Sequence, residues 1–253
     1  MRVVPKKELG QHFLVDENIL GVIGRLAELG EQDVVLEVGP GLGVLTRYLA
    51  DRVAHVHAVE LDRSLEPGLR DVPRTTLHFG DALALDPATL EPSPTKLVSN
   101  LPYNIATPLV VESLDRMPTV ASWCVMVQRE VADRFFALPA TKAYGAVSVL
   151  VQLVTERTGF HAVSREVFRP KPNVDSALVA FRRTAPGVPA GVKNVVEGAF
   201  AHRRKTLANS LALTGLASRE QVVAALATIA RDPSARAEVL APAEFVALAS
   251  ALG

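Results

Sequence analysis

The chain has 253 residues, 49% of them apolar, which is enough to bury a full core and excludes a disordered chain. No stretch approaches the roughly 18 uncharged apolar residues of a membrane span, and residues 1–8 lead into no apolar signal core, so neither membrane insertion nor export is expected. Formal net charge is zero, but residues 1–126 carry 11 Lys and Arg against 17 Asp and Glu, whereas 127–253 carry 16 against 10, a polarity that hints at a polyanion-facing side.

The first clear element is the apolar run 33–38, which ends in Gly39-Pro40-Gly41-Leu42-Gly43; Val44, Leu45, Tyr48 and Leu49 then recur at helical spacing. This predicts a strand, a glycine turn and a helix. A dinucleotide fingerprint would need its third glycine where this chain has Val44, so the strict dehydrogenase pattern fails. The turn that remains lets backbone approach a ligand closely and fits S-adenosylmethionine enzymes, where an amino-acid tail replaces a pyrophosphate. A second strand, 54–59, ends at Glu60, a carboxylate able to accept both hydroxyl protons of a ribose. A third, 75–79, ends at Gly80-Asp81-Ala82, where Asp81 would accept from an adenine amino group and Ala82 leaves room for the ring. A helix cap or a surface acid is the plain alternative for either carboxylate. A fourth strand, 97–99, ends at Asn100. In an open parallel sheet these four ends converge on one crevice.

Asn100-Leu101-Pro102-Tyr103 describes a chemistry. An exocyclic amine on a flat base is a poor nucleophile because its lone pair is delocalised into the ring. Two acceptors aimed at its N–H groups, the Asn100 side-chain oxygen and the Leu101 carbonyl, would favour the pyramidal nitrogen of the transition state. Pro102 would fix the turn, and Tyr103 offers a face on which an extruded base can lie. An ordinary strand-to-helix turn also suits these residue types.

Further along, 120–128 and 176–181 read as strands that complete the sheet, and 143–154 as a helix packed on it. Cys124, the only cysteine, falls in the first of these strands, which excludes an internal disulfide and gives a cysteine nucleophile little support. His55 and His57 share one strand face with no third partner nearby in sequence, so no metal site is expected. Basic residues cluster at Arg165, Arg169 and Lys171, at Arg182 and Arg183, and at Arg203, Arg204 and Lys205. These suit phosphate contacts, although any one cluster also reads as a solvated face. Residues 184–191, rich in Pro and Gly, form a linker, followed by helices at 192–213 with the basic stretch inside, at 218–229 behind a Ser cap, and at 242–252. The expected domains are therefore 1–184 and 185–253.

Taken in order, Leu9-Gly10-Gln11-His12-Phe13-Leu14, Glu37-Val38-Gly39-Pro40-Gly41-Leu42-Gly43, Val59-Glu60-Leu61-Asp62, Gly80-Asp81-Ala82, Asn100-Leu101-Pro102-Tyr103-Asn104 and Phe168-Arg169-Pro170-Lys171-Pro172-Asn173-Val174-Asp175-Ser176 resemble the ribosomal RNA adenine N6-dimethyltransferases. The resemblance runs from about Lys7 to Arg183 and resumes at residues 199–207; it is strongest to the bacterial small-subunit branch associated with kasugamycin sensitivity. It implies an α/β fold, with a Rossmann-like class I S-adenosylmethionine-dependent methyltransferase sheet carrying helices on both faces, and a small all-α C-terminal domain. It implies that His12, Leu14, Gly39, Gly41, Glu60, Asp81 and Asn100 hold S-adenosyl-L-methionine, with S-adenosyl-L-homocysteine as product and no metal. Asn100, Leu101, Pro102 and Tyr103 would serve the target base, and Phe168 would cover its other face. Arg169, Lys171, Arg203, Arg204 and Lys205 would contact RNA. His12 stands where the family often has asparagine, and Ser99 where it commonly has glycine.

The implied reaction is direct methyl transfer to N6 of two adjacent adenosines near the 3′ end of 16S rRNA in the immature small subunit, by a monomeric cytoplasmic enzyme. Two other readings share parts of the pattern. One is a large-subunit rRNA adenine methyltransferase of the macrolide-resistance type, against which the 202–207 stretch and the short helical tail argue. The other is a ribosome-assembly or transcription-associated binding protein that has lost activity, against which the intact Asn100-to-Tyr103 run and Glu60 argue.

Overall fold

The computed structural model describes residues 11–253; residues 1–8, Leu9 and Gly10 of the first motif lie outside the described residues. The chain divides into two compact units. The first comprises residues up to Ala132 together with Glu156–Arg183, the second Asp133–Thr155 together with Thr184–Gly253. A single cut after residue 184 does not describe this division, because 133–155 belongs with the C-terminal helices.

The first unit opens with the short strand β1 (Phe13–Leu14) and helix α1 (Glu17–Leu26), whose Asp16 cap accepts from the Asn18 N–H at 2.9 Å. Strand β2 (Val34–Val38), helix α2 (Val44–Ala50), strand β3 (His55–Glu60), the single helical turn α3 (Glu66–Leu69) and strand β4 (Thr75–Phe79) follow. Strand β5 (Lys96–Asn100), helix α4 (Ala106–Arg116), strand β6 (Ser122–Gln128) and helix α5 (Arg129–Phe135) lead into the second unit. There lies α6 (Ala146–Val154), after which the chain returns through β7 (Thr155–Val163), β8 (Phe168–Arg169) and β9 (Ser176–Arg183).

The main sheet has the order β4-β3-β2-β5-β6-β9-β7. Strands β2 to β6 pair in parallel, while β9 runs antiparallel to β6 from Ser122↔Arg182 to Gln128↔Ser176. Strand β2 is buried along its whole length, as a near-continuous Val/Leu run demands when both faces are covered. Neighbouring residues of β6 identify what covers each face. The Cys124 thiol points at the Ile23 carbonyl of α1, whereas Trp123 Nε1 donates to Ser113 Oγ of α4 at 2.9 Å. The order reverses between β2 and β5, so the crevice beyond their carboxyl ends is the expected ligand site.

Two pairings were not legible in the sequence. Strand β7 is an edge strand, mostly exposed, and its polar Thr155-Glu156-Arg157-Thr158 start carries no alternating apolar signal. Strands β1 and β8 make only a two-residue ladder, Phe13↔Arg169 and Leu14↔Phe168, too short for any periodicity.

The second unit is helical. Helix α6, expected on the sheet, packs instead on α7 (Val192–Ala201) and α10 (Pro242–Leu252), and in the turn before it the Tyr144 hydroxyl donates to the Leu240 carbonyl at 2.7 Å. Its surface, apolar apart from Ser148 and Gln152, did not reveal which neighbour it would choose. The helix expected over 192–213 is broken: α7 ends at Ala201, and α8 (Leu207–Leu213) restarts behind Thr206, whose hydroxyl caps the Asn209 N–H. The basic stretch therefore lies in the turn between them. Helix α9 (Arg219–Thr228) begins at the expected Ser218, which exchanges bonds with Gln221 in a capping box. Among the described residues no helix is long and apolar enough to cross a membrane.

Candidate active site

The glycine turn after β2 works because three residues there adopt left-handed backbone, with φ of 75° at Gly39, 58° at Gly41 and 74° at Gly43. Close approach is also required. A Cβ at Gly39 would lie 3.0 Å from Pro102 Cγ, and one at Gly41 would lie 2.9 Å from Phe13 Cδ1. Glu60, at the end of β3, ties this turn down: one carboxylate oxygen accepts the Gly41 N–H at 3.1 Å and the other the Asp62 N–H at 2.9 Å. Burial raises its pKa above the usual carboxylate range, and the backbone donors only partly offset this.

One pocket is lined by His12, Leu14, Gly39, Gly41, Glu60, Asp81, Asn100, Leu101, Pro102 and Tyr103, together with Gln11, Glu37, Leu61 and Ala82. Four strand ends thus meet as the sequence requires. Asp81 uses Oδ1 to accept from the Leu83 N–H at 2.9 Å, which shapes its own loop. The Asn100 amide donates to the His12 carbonyl at 3.3 Å, and the Leu101 N–H to the Met126 carbonyl at 3.0 Å, which anchors the run to the adjacent strand. Pro102 closes a turn by accepting from the Ile105 N–H at 3.1 Å. The Tyr103 hydroxyl meets Ser176 Oγ at 2.7 Å. His12 donates from Nδ1 to the Pro170 carbonyl at 2.7 Å, and its ring lies 5.6 Å from that of Tyr103.

Phe168 corrects an expectation. Its side chain is fully buried in the core cluster with Leu14, Ile19 and Leu20, outside the pocket, so it does not present a face to a base. The physical reason is its β-bridge to Leu14, which turns the ring inward. Ser99, which replaces the family's glycine, is equally informative. Its buried hydroxyl accepts from the Val38 N–H and donates to the Val38 carbonyl, substituting for ladder bonds where β2 and β5 separate. It therefore points into the sheet and leaves the pocket clear.

The basic residues fall into two kinds. Arg183 donates to the carbonyls of Leu114, Met117 and Val120 and lies 5.0 Å from the Trp123 ring, a structural clamp rather than a phosphate contact. Arg169 donates to the Glu166 and Phe168 carbonyls while remaining exposed, and Lys171 pairs with Glu166. Arg203 donates to the Tyr144 carbonyl at 3.2 Å; Arg204 and Lys205 are exposed.

Glu37 was missed as a site residue. It is 1% exposed, lines the pocket, and its Oε2 has no hydrogen-bond partner. Burial pushes its pKa up to about 8; the nearby Thr46 hydroxyl, outside hydrogen-bonding geometry, offsets this only in part, and the Glu60 charge adds to it. A lone acid inside the apolar run Val34-Val35-Leu36-Glu37-Val38 was the available signal. His57, by contrast, is fully committed, with Nε2 on the Pro92 carbonyl at 2.8 Å and Nδ1 on His78 Nε2 at 3.1 Å. Among the described residues no group of three or more His, Cys, Asp or Glu is assembled to hold a metal ion.

The model of the family described as ribosomal RNA adenine dimethylase matches residues 4–251. Over 250 residues the chain is 47% identical to the ribosomal RNA small subunit methyltransferase A of Rubrobacter xylanophilus, covering 96% of this chain and 94% of that protein. It is 44% identical to the protein of the same name from Phenylobacterium zucineum, covering 97% and 87%. Among solved structures, a 23S rRNA methyltransferase, ErmE, is similar with a TM-score of 0.67 and 30% identity over 95% of this chain and 99% of that one. A dimethyladenosine transferase from Plasmodium falciparum shares the fold with a TM-score of 0.78, at 22% identity over 94% of this chain and 96% of that one.

Proposed function

We propose, for a chain that belongs to the ribosomal RNA adenine dimethylase family, that it dimethylates N6 of two adjacent adenosines in the 3′-terminal hairpin region of 16S rRNA during small-subunit assembly in the cytoplasm. The observation that carries this reading is the convergence of Asn100, Leu101, Pro102 and Tyr103 on the pocket that also holds Gly39, Glu60 and Asp81. Identity of 47% to a small-subunit methyltransferase, against 30% to a 23S enzyme, favours the small-subunit substrate.

The pocket fits S-adenosyl-L-methionine. Its glycine cradle has no room for a Cβ, two carboxylates stand at the strand ends where ribose and adenine would lie, and Glu37 presents a buried oxygen that lacks a partner. We assign Gly39 and Gly41 to the amino-acid tail, Glu60 to the ribose, Asp81 to the adenine, and His12 and Leu14 to the rim. When bound, S-adenosyl-L-methionine supplies an electrophilic methyl group on a sulfonium whose departure needs no acid.

The chain's own residues then do the positioning. The Asn100 amide nitrogen is engaged by the His12 carbonyl, which can only accept, so Oδ1 is the group left to accept from the target amine. With the Leu101 carbonyl it would favour the pyramidal nitrogen and stabilise its developing charge. Tyr103 supplies the stacking face for the extruded base. No base is required before attack, because the methylated ammonium is acidic enough to lose its proton to water. Arg169, Lys171, Arg203, Arg204 and Lys205 would hold the RNA through phosphates.

The test is incubation of the protein and methyl-labelled cofactor with immature small subunits, naked 16S rRNA and 23S rRNA, followed by primer extension and mass mapping. Dimethyladenosine at two adjacent small-subunit positions is expected. Label confined to 23S rRNA would reassign the substrate, and no label at all would favour a binding protein.

A further inference from the structure

Tyr103 sits on the turn between β5 and α4, a place where a ring would ordinarily be free to rotate about its two side-chain torsions. Its hydroxyl, however, is held at 2.7 Å by Ser176 Oγ. Ser176 is 1% exposed, is the first residue of β9, and stands opposite Gln128 in the β6 ladder. The tether therefore runs from a loop to the sheet itself. Ser176 is not among the pocket-lining residues, so it would act through Tyr103 and not on the base.

The surroundings make the tilt of this ring decisive. The His12 ring lies 5.6 Å from the Tyr103 ring, centroid to centroid. A base sandwiched between two rings needs about 7 Å, twice the contact distance of stacked carbons. The base is thus excluded from the His12 side and must stack on what remains of Tyr103. Phe168, buried in the core, offers no second aromatic cover. One ring alone sets the plane of the base and the aim of its amino group.

We infer that Ser176 is a positioning residue for methyl transfer, fixing through its hydrogen bond the tilt of Tyr103 on which the target adenine stacks. The inference rests on the assignment of Tyr103 as the stacking surface. Misplacement of a reacting group by about 1 Å can cost up to about 100-fold in rate. Loss of one tether that leaves the ring in place should cost about tenfold.

Ser176→Ala, Tyr103→Phe and the double variant are compared for kcat, KM for the RNA substrate, cofactor affinity and melting temperature, with Tyr103→Ala as reference. The expected result is a similar, roughly tenfold fall in kcat in both single variants, no further fall in the double variant, and unchanged cofactor affinity. Ser176→Thr, which keeps a hydroxyl, should recover most of the rate. Additive losses, full activity in Tyr103→Phe, or a fall in cofactor affinity matching the fall in rate would each overturn the inference. If Tyr103→Ala itself is fully active, the stacking assignment fails and takes the inference with it. If Tyr103→Ala is inactive while Ser176→Ala and Tyr103→Phe are not impaired, stacking stands and only the role of Ser176 is lost.

Discussion

Asn100 and His12, 88 positions apart in sequence, are joined by a 3.3 Å bond from the side-chain amide of one to the main-chain carbonyl of the other. A carbonyl can orient an amide but not a carboxylate, so the N-terminal segment selects which atom of Asn100 faces the target.

Asn100→Ala should lower methyl transfer by about 100- to 1,000-fold, the usual cost of a lost transition-state acceptor or donor, while cofactor affinity stays within a few fold. Asn100→Asp should be impaired as well, because its carboxylate would face the His12 carbonyl without a proton to share. Single-turnover rates and equilibrium dialysis of the cofactor separate the two effects, and a fully active Asn100→Ala enzyme would remove the residue from the chemistry.

Gly39→Ala should weaken both cofactor binding and transfer. Its φ of 75° is strained for alanine, by about 1–2 kcal/mol, and the new Cβ would lie 3.0 Å from Pro102 Cγ, pushing on the catalytic turn. Calorimetric titration with S-adenosyl-L-homocysteine is the direct readout; unchanged affinity would show that the turn has room to spare.

Phe168→Leu should lower the melting temperature and leave kcat/KM of the folded enzyme within a few fold, because the ring is core and not base-facing. A truncation to alanine should cost about 3–5 kcal/mol of stability. A large loss of kcat at unchanged melting temperature in Phe168→Leu would restore the ring to the active site.

The Glu37 carboxyl, raised to about 8 by burial, is held neutral in the fold where the unfolded chain would ionise it. Its contribution to stability is complete at acid pH, below the unfolded value, and is lost as pH rises through about 8. Glu37→Gln keeps the shape without the charge, so its melting temperature should gain on that of the parent as pH rises from 5 towards 8. Parallel melting curves for the two proteins across that range would contradict the assignment.

His78, on β4, should act in the opposite sense. Burial, then the neighbouring imidazoles, lower the pKa of His78, and its Nε2 donates to a His57 ring whose other nitrogen is spent on Pro92. A histidine with a depressed pKa stabilises the fold above its unfolded value, near 6.5, and that stability is lost as pH falls below it. His78→Gln should therefore show a smaller fall in melting temperature between pH 7.5 and pH 5.5 than the parent protein, by differential scanning fluorimetry.

Much of the fold was legible because buried parallel strands write themselves as apolar runs. The buried runs 33–38 and 97–99 fall within one residue of β2 and β5 at each end, and 75–79 matches β4 at both ends although that edge strand is only half-buried and reads Thr-Thr-Leu-His-Phe. The site was legible for the same reason, since Glu60, Asp81 and Asn100 punctuate those runs. What escaped depends on tertiary choice. Nothing local distinguishes α6 on a sheet from α6 among helices, and Thr206 as a cap outweighs the helical periodicity that seemed to carry 192–213 through. Phe168 and Ser99 escaped because a motif records residue type but not direction, and both turn inward.

Strand β6 borrows one of its two edges from far downstream. Its seven-residue pairing with β9 cannot be completed until residue 182 has been made, after the intervening helix α6 and edge strand β7. On the ribosome, a nascent chain whose β6 has emerged but whose residues 176–182 have not therefore carries β6 as an open, apolar edge of its unfinished sheet, the kind of edge that invites mispairing. A pause in translation within that window would be more hazardous for this protein than one after Arg183 has emerged.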